Sequence, residues 1–225
     1  MIKLINLLSE FPKKIDHPRT IPELMKRVLS MPTLSSQEAL NATVKLKKER
    51  GLYFWYITPE GAKSYEKILT DLTKKPQAIN YCQTNNEGNY LVYVGVAASH
   101  KGGGRTGIKA RFTDHLGTGN TASSTMKRKI VQTLYPSVDF KDPKSKADFK
   151  DKYKPEFDKL ISKNFRFNYI LEDDLNLDEN LTIKQAIEKI EKDFLNSCVL
   201  YFNWKDVNND IKPLTFGKNI QNKKT

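Results

Sequence analysis

Cysteine is scarce in this chain, and long hydrophobic runs are missing. The 225 residues include two cysteines, Cys82 and Cys198, too few for a disulfide framework or for a zinc site by themselves. The longest apolar runs, such as residues 90–94, are far too short to span a bilayer. The N-terminal stretch has no small-residue cleavage site, so it indicates an amphipathic helix rather than a signal peptide. We therefore expect a cytoplasmic protein that does not associate with membranes.

Acidic residues are outnumbered, which gives the chain a strong positive charge. There are 38 Lys and Arg against 26 Asp and Glu, so the formal net charge is +12. This excess favours a polyanion as partner, although it does not distinguish DNA from RNA or an enzyme from a passive binder. Hydrophobic residues make up 38% of the chain, which is enough for a sizeable core and excludes a predominantly disordered protein.

The first fifty residues are predicted to form a helical extension, residues 1–50. Two capping boxes, residues 20–23 (TIPE) and 35–38 (SSQE), predict that helices begin there. The extension carries a net charge of +5, so it either contacts nucleic acid or packs against a core. Apolar residues recur at helical spacing near its start, at Leu4, Leu7, Leu8 and Phe11.

From Gly51 onward, strand patterns alternate with helical patterns. Aromatic and β-branched residues predict strands over residues 51–57, 90–95 and 165–171. Helical segments lie between and after them, which predicts a small α+β domain. Residues 141–163 hold eight Lys and five acidic residues, a composition that indicates a solvated helical or mobile insertion.

Two tripeptides and four single residues follow one another along this domain: Gly51-Leu52-Tyr53, Tyr93-Val94-Gly95, Arg111, His115, Glu191 and Asn203. Each tripeptide ends or begins with a tyrosine in a predicted strand. Arg111 and His115 are four residues apart on the next predicted helix, and Asn203 follows Glu191 by twelve residues. In this order they resemble the GIY-YIG nuclease family, with Leu52 and Val94 in place of the two isoleucines. The resemblance covers residues 51–216, and residues 217–225 form a basic tail.

Spacing on a helix supports Arg111 and His115 as partners. Residues four apart lie on one face, so both side chains point toward the same phosphate in this interpretation. The planar, permanently charged guanidinium of Arg111 suits a phosphodiester, and His115 is able to donate to a phosphate oxygen or protonate a leaving group. Arg105, in a Gly-rich loop, is an alternative to Arg111 as the phosphate contact.

The last predicted helix offers two candidate carboxylates. Its buried stripe predicts that Glu191 lies at the edge of the apolar face, whereas Glu188 points toward solvent and pairs with Lys192. A metal-binding carboxylate needs a half-buried position that faces a cleft. The pattern therefore favours Glu191.

The resemblance implies both a fold and a mechanism. The fold is a small central antiparallel three-stranded sheet flanked by helices. The mechanism is phosphodiester hydrolysis with one Mg²⁺ (or Mn²⁺) held by Glu191 and water. Tyr53 is the general base, Tyr93 and Arg111 help to stabilise its phenolate, and Asn203 organises the site.

The chain departs from the family pattern at two insertions, residues 58–88 and 136–163. The first separates the two tripeptides by a helix, as in one subgroup of the family. The first insertion also permits an alternative hairpin in which Tyr81 is the general base, although Tyr81 lacks the preceding Gly of the family motif. Val96 stands where many relatives have Lys, so the phenolate needs another stabilising group.

The leading hypothesis is a restriction-type, metal-dependent DNA endonuclease. A non-catalytic nucleic-acid-binding module on the same fold, or a nuclease for RNA or branched or single-stranded DNA, is the alternative. A palindromic target would favour a homodimer on DNA or two sequential nicks. Residues 96–135 carry a net charge of +6 around the site. Five of their basic residues are candidate nucleic-acid contacts: Lys101, Arg105, Lys109, Lys127 and Arg128.

Overall fold

A single antiparallel sheet organises the molecule. The computed structural model describes residues 20–46, 49–65, 82–98, 107–116, 124–135, 137–198 and 200. Strands β1 (Gly51–Ile57), β2 (Tyr90–Ala97) and β3 (Phe165–Leu171) form a three-stranded sheet in the order β2-β1-β3. Both pairings are antiparallel, with Tyr53 opposite Gly95 on one side and Tyr169 on the other. The predicted α+β class and three-stranded antiparallel sheet are confirmed.

Helices cover both faces of this sheet. In the described ranges the longer helices are α1 (Ile21–Ser30), α2 (Ser36–Thr43), α3 (Gly107–Leu116), α4 (Thr125–Leu134), α5 (Pro143–Lys152), α6 (Lys154–Asn164) and α7 (Ile183–Ser197). Residues 59–65 are also helical, which agrees with a helix in the first insertion. Among these helices, none is long and apolar enough to cross a membrane.

The central strand β1 separates two apolar cores because its side chains alternate between the faces of the sheet. Tyr53, Trp55 and Ile57 pack in one core with apolar residues of helices α3 to α6. Leu52, Phe54 and Tyr56 pack in the other core with helices α1 and α7. All seven residues of β1 are buried, which explains why its sequence is apolar or aromatic throughout rather than alternating.

The described part of the N-terminal extension packs against the sheet domain. Both predicted capping boxes are present, at the starts of α1 and α2. Leu24 and Val28 of α1 are buried in the core that contains α7, and Ala39 of α2 is buried in the other core. The packing interpretation is therefore confirmed for α1 and α2. The predicted helix over Leu4–Phe11 lies outside the described residues.

The charged segment near residue 150 is more than a solvated insertion. It forms helices α5 and α6, and Phe149, Phe157 and Ile161 of these helices are buried in the same core as Tyr53. The segment is helical, as one of the two alternatives predicted, but it is only partly solvated because these three apolar residues lie among its many lysines and acids. Lys and Asp/Glu cover the outer side of the two helices while the apolar residues fill the core.

Candidate active site

Two glycines allow the sheet to close around Tyr53. A Cβ atom at Gly95 would lie 2.4 Å from Cζ of the Tyr53 ring, so only glycine fits beneath that ring. A Cβ atom at Gly51 would lie 1.9 Å from the carbonyl oxygen of Ile170 on β3. The glycines of both tripeptides are thus explained by close approach, one to the tyrosine ring and one to the neighbouring backbone.

A chain of hydrogen bonds links Tyr53 to helices α3 and α4. His115 Nε2 of α3 lies 2.9 Å from Tyr53 Oη, and His115 Nδ1 lies 2.6 Å from Ser124 Oγ. The imidazole also packs edge-on against Trp55, with ring centroids 5.4 Å apart. Tyr53 is 4% exposed and His115 is 3% exposed, so these contacts are shielded from water.

The environment of His115 keeps its imidazole neutral. Burial is the main cause that lowers the pKa of His115 to about 3, and the charges of Arg111 and Lys127 lower it further. Both ring nitrogens already have partners. The expectation that His115 contacts a phosphate or protonates a leaving group therefore does not fit, because the side chain faces Tyr53 and carries no spare proton at neutral pH.

Tyr93 completes the polar cluster on this face of the sheet. Its ring centroid lies 6.0 Å from that of Tyr53, and the two phenols are hydrogen-bonded. Burial raises the pKa of Tyr53 well above its usual range, and Tyr93 and Glu191 raise it further, whereas Arg111 lowers it. Tyr53 is therefore a neutral phenol in this state, and a phenolate there needs added positive charge or added donors.

Arg111 and Glu191 both follow the tyrosines in the sequence and lie on different helices, but they act on the same groups. Arg111, half-buried on α3, lowers the pKa of Tyr53, of Tyr93 and of His115. Glu191, half-buried on α7, raises the pKa of both tyrosines. The sheet and two helices thus bring one cation and one anion to the same pair of phenols.

Glu191 has the burial predicted for it. Desolvation, followed by the charge of Glu188, raises the pKa of the Glu191 carboxyl to about 7. No ion pair to Glu191 exists among the described residues, whereas the exposed Glu188 lies 3.6 Å from Lys184 Nζ. The predicted Glu188–Lys192 pair is replaced by this Lys184–Glu188 pair. An unpaired, partly desolvated carboxylate gains from binding a cation.

The oxygen donor of Glu191 fits a hard divalent cation. Within the described ranges there is no cluster of three or more His, Cys, Asp or Glu side chains that could hold a metal ion. Mg²⁺ is usually bound by one or two carboxylates, with water and substrate phosphate completing its octahedral shell. A single half-buried carboxylate is therefore compatible with Mg²⁺ or Mn²⁺, but not with a closed structural zinc site.

The candidate nucleic-acid contacts divide by exposure. Lys109 and Arg128 are exposed on α3 and α4, and Lys109 Nζ donates to the carbonyl oxygen of Val44 over 2.9 Å. Lys127 is 1% exposed and lies 3.8 Å from Asp158 Oδ1 of α6. The prediction that Lys127 contacts nucleic acid is therefore wrong, because its ammonium group is buried and joins α4 to α6. Lys101 and Arg105 lie outside the described residues.

Two further predicted residues, Asn203 and the rival base Tyr81, also lie outside the described residues. The pairing of β1 with β2 places Tyr53 and Tyr93 together, as the two tripeptides predict.

Ser124 is the site residue that sequence reasoning missed. Its position before α4 identifies it as a helix cap, but nothing in the sequence indicates its contact with His115.

Comparison with known families agrees with this geometry. The chain matches the GIY-YIG catalytic domain over residues 51–224, which is most of its length. No curated protein and no solved structure matches it. The family match supports a nuclease-type function in general, with nucleic acid as the substrate. By its fold, its paired tyrosine motifs and this match, the chain belongs to the GIY-YIG nuclease superfamily.

Proposed function

We propose that the chain is a metal-dependent, restriction-type endonuclease that hydrolyses phosphodiester bonds in DNA. One observation carries this proposal: a buried Tyr53 whose hydroxyl meets His115 and Tyr93, within range of the charges of Arg111 and Glu191. A structural tyrosine needs one hydrogen-bond partner, whereas this one is surrounded by groups that set its protonation.

Tyr53 is the general base in this proposal. To accept a proton from the attacking water it must first be a phenolate, which burial opposes. Arg111 lowers the pKa of Tyr53 by its charge, and Nε2 of neutral His115 lies 2.9 Å from the phenol oxygen, where the tautomer with its proton on Nε2 would donate to it. The help expected from Tyr93 does not fit, because Tyr93 raises the pKa of Tyr53. Base catalysis of this kind contributes about 10²–10⁴-fold to a rate.

Glu191 holds the metal ion, and Arg111 contacts the scissile phosphate. A bound Mg²⁺ or Mn²⁺ supplies Lewis-acid polarisation of that phosphate. Arg111 suits the phosphate because its planar fork stays protonated and donates two parallel hydrogen bonds. No ion pair to Glu191 occurs among the described residues, so its partly desolvated carboxylate is available to a cation.

Basic residues around the site provide the grip on DNA. Lys109 and Arg128 are exposed on the two helices that carry His115 and Ser124. Contacts of this kind neutralise backbone phosphates and depend strongly on salt, but they do not read sequence. Sequence reading would fall to other parts of the chain.

The proposal is tested by incubating the purified protein with supercoiled plasmid in Mg²⁺, in Mn²⁺ and in EDTA. We expect cutting with either metal and none in EDTA. Glu191→Gln should lower the rate about a hundredfold or more, whereas Glu188→Gln, three residues away on the exposed side, should stay within a few-fold of wild type. Mg²⁺ should raise the melting temperature of the wild type and of Glu188→Gln but not of Glu191→Gln.

The pattern of products separates the remaining possibilities. Discrete fragments are expected of a restriction-type enzyme, whereas a smear would contradict sequence-specific cutting. If RNA or branched DNA is cut and plasmid is not, the substrate assignment is wrong. A protein that shifts DNA on a gel but cuts no nucleic acid with either metal would be a binding module instead.

A further inference from the structure

The hydroxyl group of Ser124 has two hydrogen-bond partners. Its Oγ accepts the backbone N–H of Lys127 over 3.0 Å, which caps the first turn of α4. The same oxygen lies 2.6 Å from His115 Nδ1. Ser124 is 1% exposed, so water does not compete for either contact.

Hydrogen accounting fixes the direction of the second contact. A backbone N–H only donates, so Ser124 Oγ is the acceptor toward Lys127 and its own O–H needs a different acceptor. Among the described residues, the one acceptor within reach of that O–H is His115 Nδ1. If Nδ1 carried the proton instead, the buried Ser124 hydroxyl hydrogen would have no acceptor among the described residues, which is unfavourable.

We propose that Ser124 is a positioning residue that holds His115 in the tautomer with its proton on Nε2, so that His115 donates to Tyr53 Oη. The proposal rests on the proposed function, because it assigns His115 the task of stabilising the base. It also names the group that would stabilise the Tyr53 phenolate in this chain. Val96 stands where many relatives have Lys, and the neutral imidazole N–H of His115 would take the place of that lysine.

The surroundings make this arrangement rigid. Lys127, whose backbone N–H engages Ser124, is fixed by its buried side chain beside Asp158. On the other side, the His115 ring is held against Trp55. The direction of the hydrogen bonds therefore runs from α4 through Ser124 and His115 to Tyr53, with one donor and one acceptor at each step.

Three variants separate this role from simple helix capping. Ser124→Thr keeps both the cap and the donor hydroxyl. Ser124→Asp keeps an oxygen that caps α4 but has no proton to give, so His115 must place a proton on Nδ1. Ser124→Ala removes both functions. Helical circular dichroism and a melting curve show whether each variant is folded.

The tautomer is measured directly by long-range ¹H–¹⁵N NMR of the full-length protein at pH 7. The chain has three histidines, so the His115 signals are assigned with His115→Gln. We expect the Nε2–H tautomer in the wild type and in Ser124→Thr, and its loss in Ser124→Asp and Ser124→Ala. In parallel, kcat for DNA cleavage should fall about ten- to a hundredfold in the last two variants, with KM nearly unchanged.

An Nδ1–H tautomer in the wild type, or an Nε2–H tautomer that persists in folded Ser124→Asp, would overturn the proposal. So would full cleavage activity in folded Ser124→Asp. Failure of the proposed function looks different, because then the wild type cuts no nucleic acid with either metal, whatever the NMR spectra show.

Discussion

Strand β1 carries two buried tyrosines, Tyr53 and Tyr56, that point to opposite faces of the sheet and have different surroundings. Tyr56 Oη donates to the carbonyl oxygen of Val28 on α1 over 3.0 Å, within an apolar core. Tyr53 Oη meets an imidazole and a second phenol, and two charged side chains act on it. Burial raises the pKa of both phenols.

The difference shows that burial alone does not make a reactive tyrosine. Tyr56 donates to a backbone carbonyl, and the charge of Glu87, which also raises the pKa of Tyr56, disfavours its phenolate, so its role is structural. The hydroxyl of Tyr53 lies against the imidazole of His115, and the charge of Arg111 favours its phenolate. The partners, rather than the residue type or its exposure, distinguish the candidate base from the structural residue.

The largest expected effect in this comparison comes from removing the hydroxyl group of Tyr53, with removal of the Tyr56 hydroxyl as its counterpart. Tyr53→Phe should lower the cleavage rate about 10²–10⁴-fold because the general base is lost. Tyr56→Phe should leave the rate within a few-fold and lower the free energy of unfolding by about 1 kcal/mol. Single-turnover cleavage and urea denaturation measure the two quantities. Equal rates for both variants would remove the distinction between the two faces.

A smaller effect comes from the space beneath the Tyr53 ring. Gly95→Ala places a Cβ where the ring now lies, so the ring must shift or the strands must separate. We expect cleavage to fall about a hundredfold and the free energy of unfolding to fall by about 1–3 kcal/mol.

The neighbouring Val96→Ala is the matched control for that variant. It removes apolar contact from the other face of β2 and should lower stability by a similar amount, yet leave cleavage nearly unchanged. Loss of activity in Val96→Ala at the same folded fraction would show that any perturbation of β2 inactivates the protein.

The smallest effect concerns pH and metal affinity. Because the pKa of Glu191 is raised to about 7, the carboxyl is protonated below pH 7 and must lose that proton to bind a cation. The affinity for Mg²⁺ should therefore fall about tenfold per pH unit below pH 7 and level off above it. Thermal shifts at several Mg²⁺ concentrations from pH 6 to pH 8 measure this dependence.

Two outcomes bear on that expectation. In Glu188→Gln the midpoint should move to lower pH, since one cause of the raised pKa of Glu191 is removed. A metal affinity that is constant between pH 6 and pH 8 would mean that Glu191 is not the ligand.

Much of the fold was predictable because the sequence carries local signals for it. Dense aromatic and β-branched residues identified the three strands, and the two capping boxes identified the starts of α1 and α2. The edge position of Glu191 followed from the helical period of its apolar neighbours. These features depend on residues a few positions apart, which a sequence pattern records directly.

The contacts that define the site were less predictable because they join distant elements. The bond between His115 and Ser124 spans two helices, and the role assigned to His115 changed once both nitrogens were seen to be engaged. Lys127 looked like a surface residue within a basic run. Its spacing from the buried Ile130 and Val131, three and four residues on, was the signal that placed it on the inner face of α4.

The central claim is that Tyr53 acts as the base and Tyr56 does not. Site-specific replacement of each by 3-fluorotyrosine lowers the pKa of that phenol with little change in shape, and the pH–rate profile of cleavage is then measured at saturating Mg²⁺. The account predicts that fluorination at position 53 moves the acidic limb of the profile to lower pH, whereas fluorination at position 56 leaves the profile unchanged. A profile that does not move on fluorination at position 53, or that moves on fluorination at position 56, would contradict it.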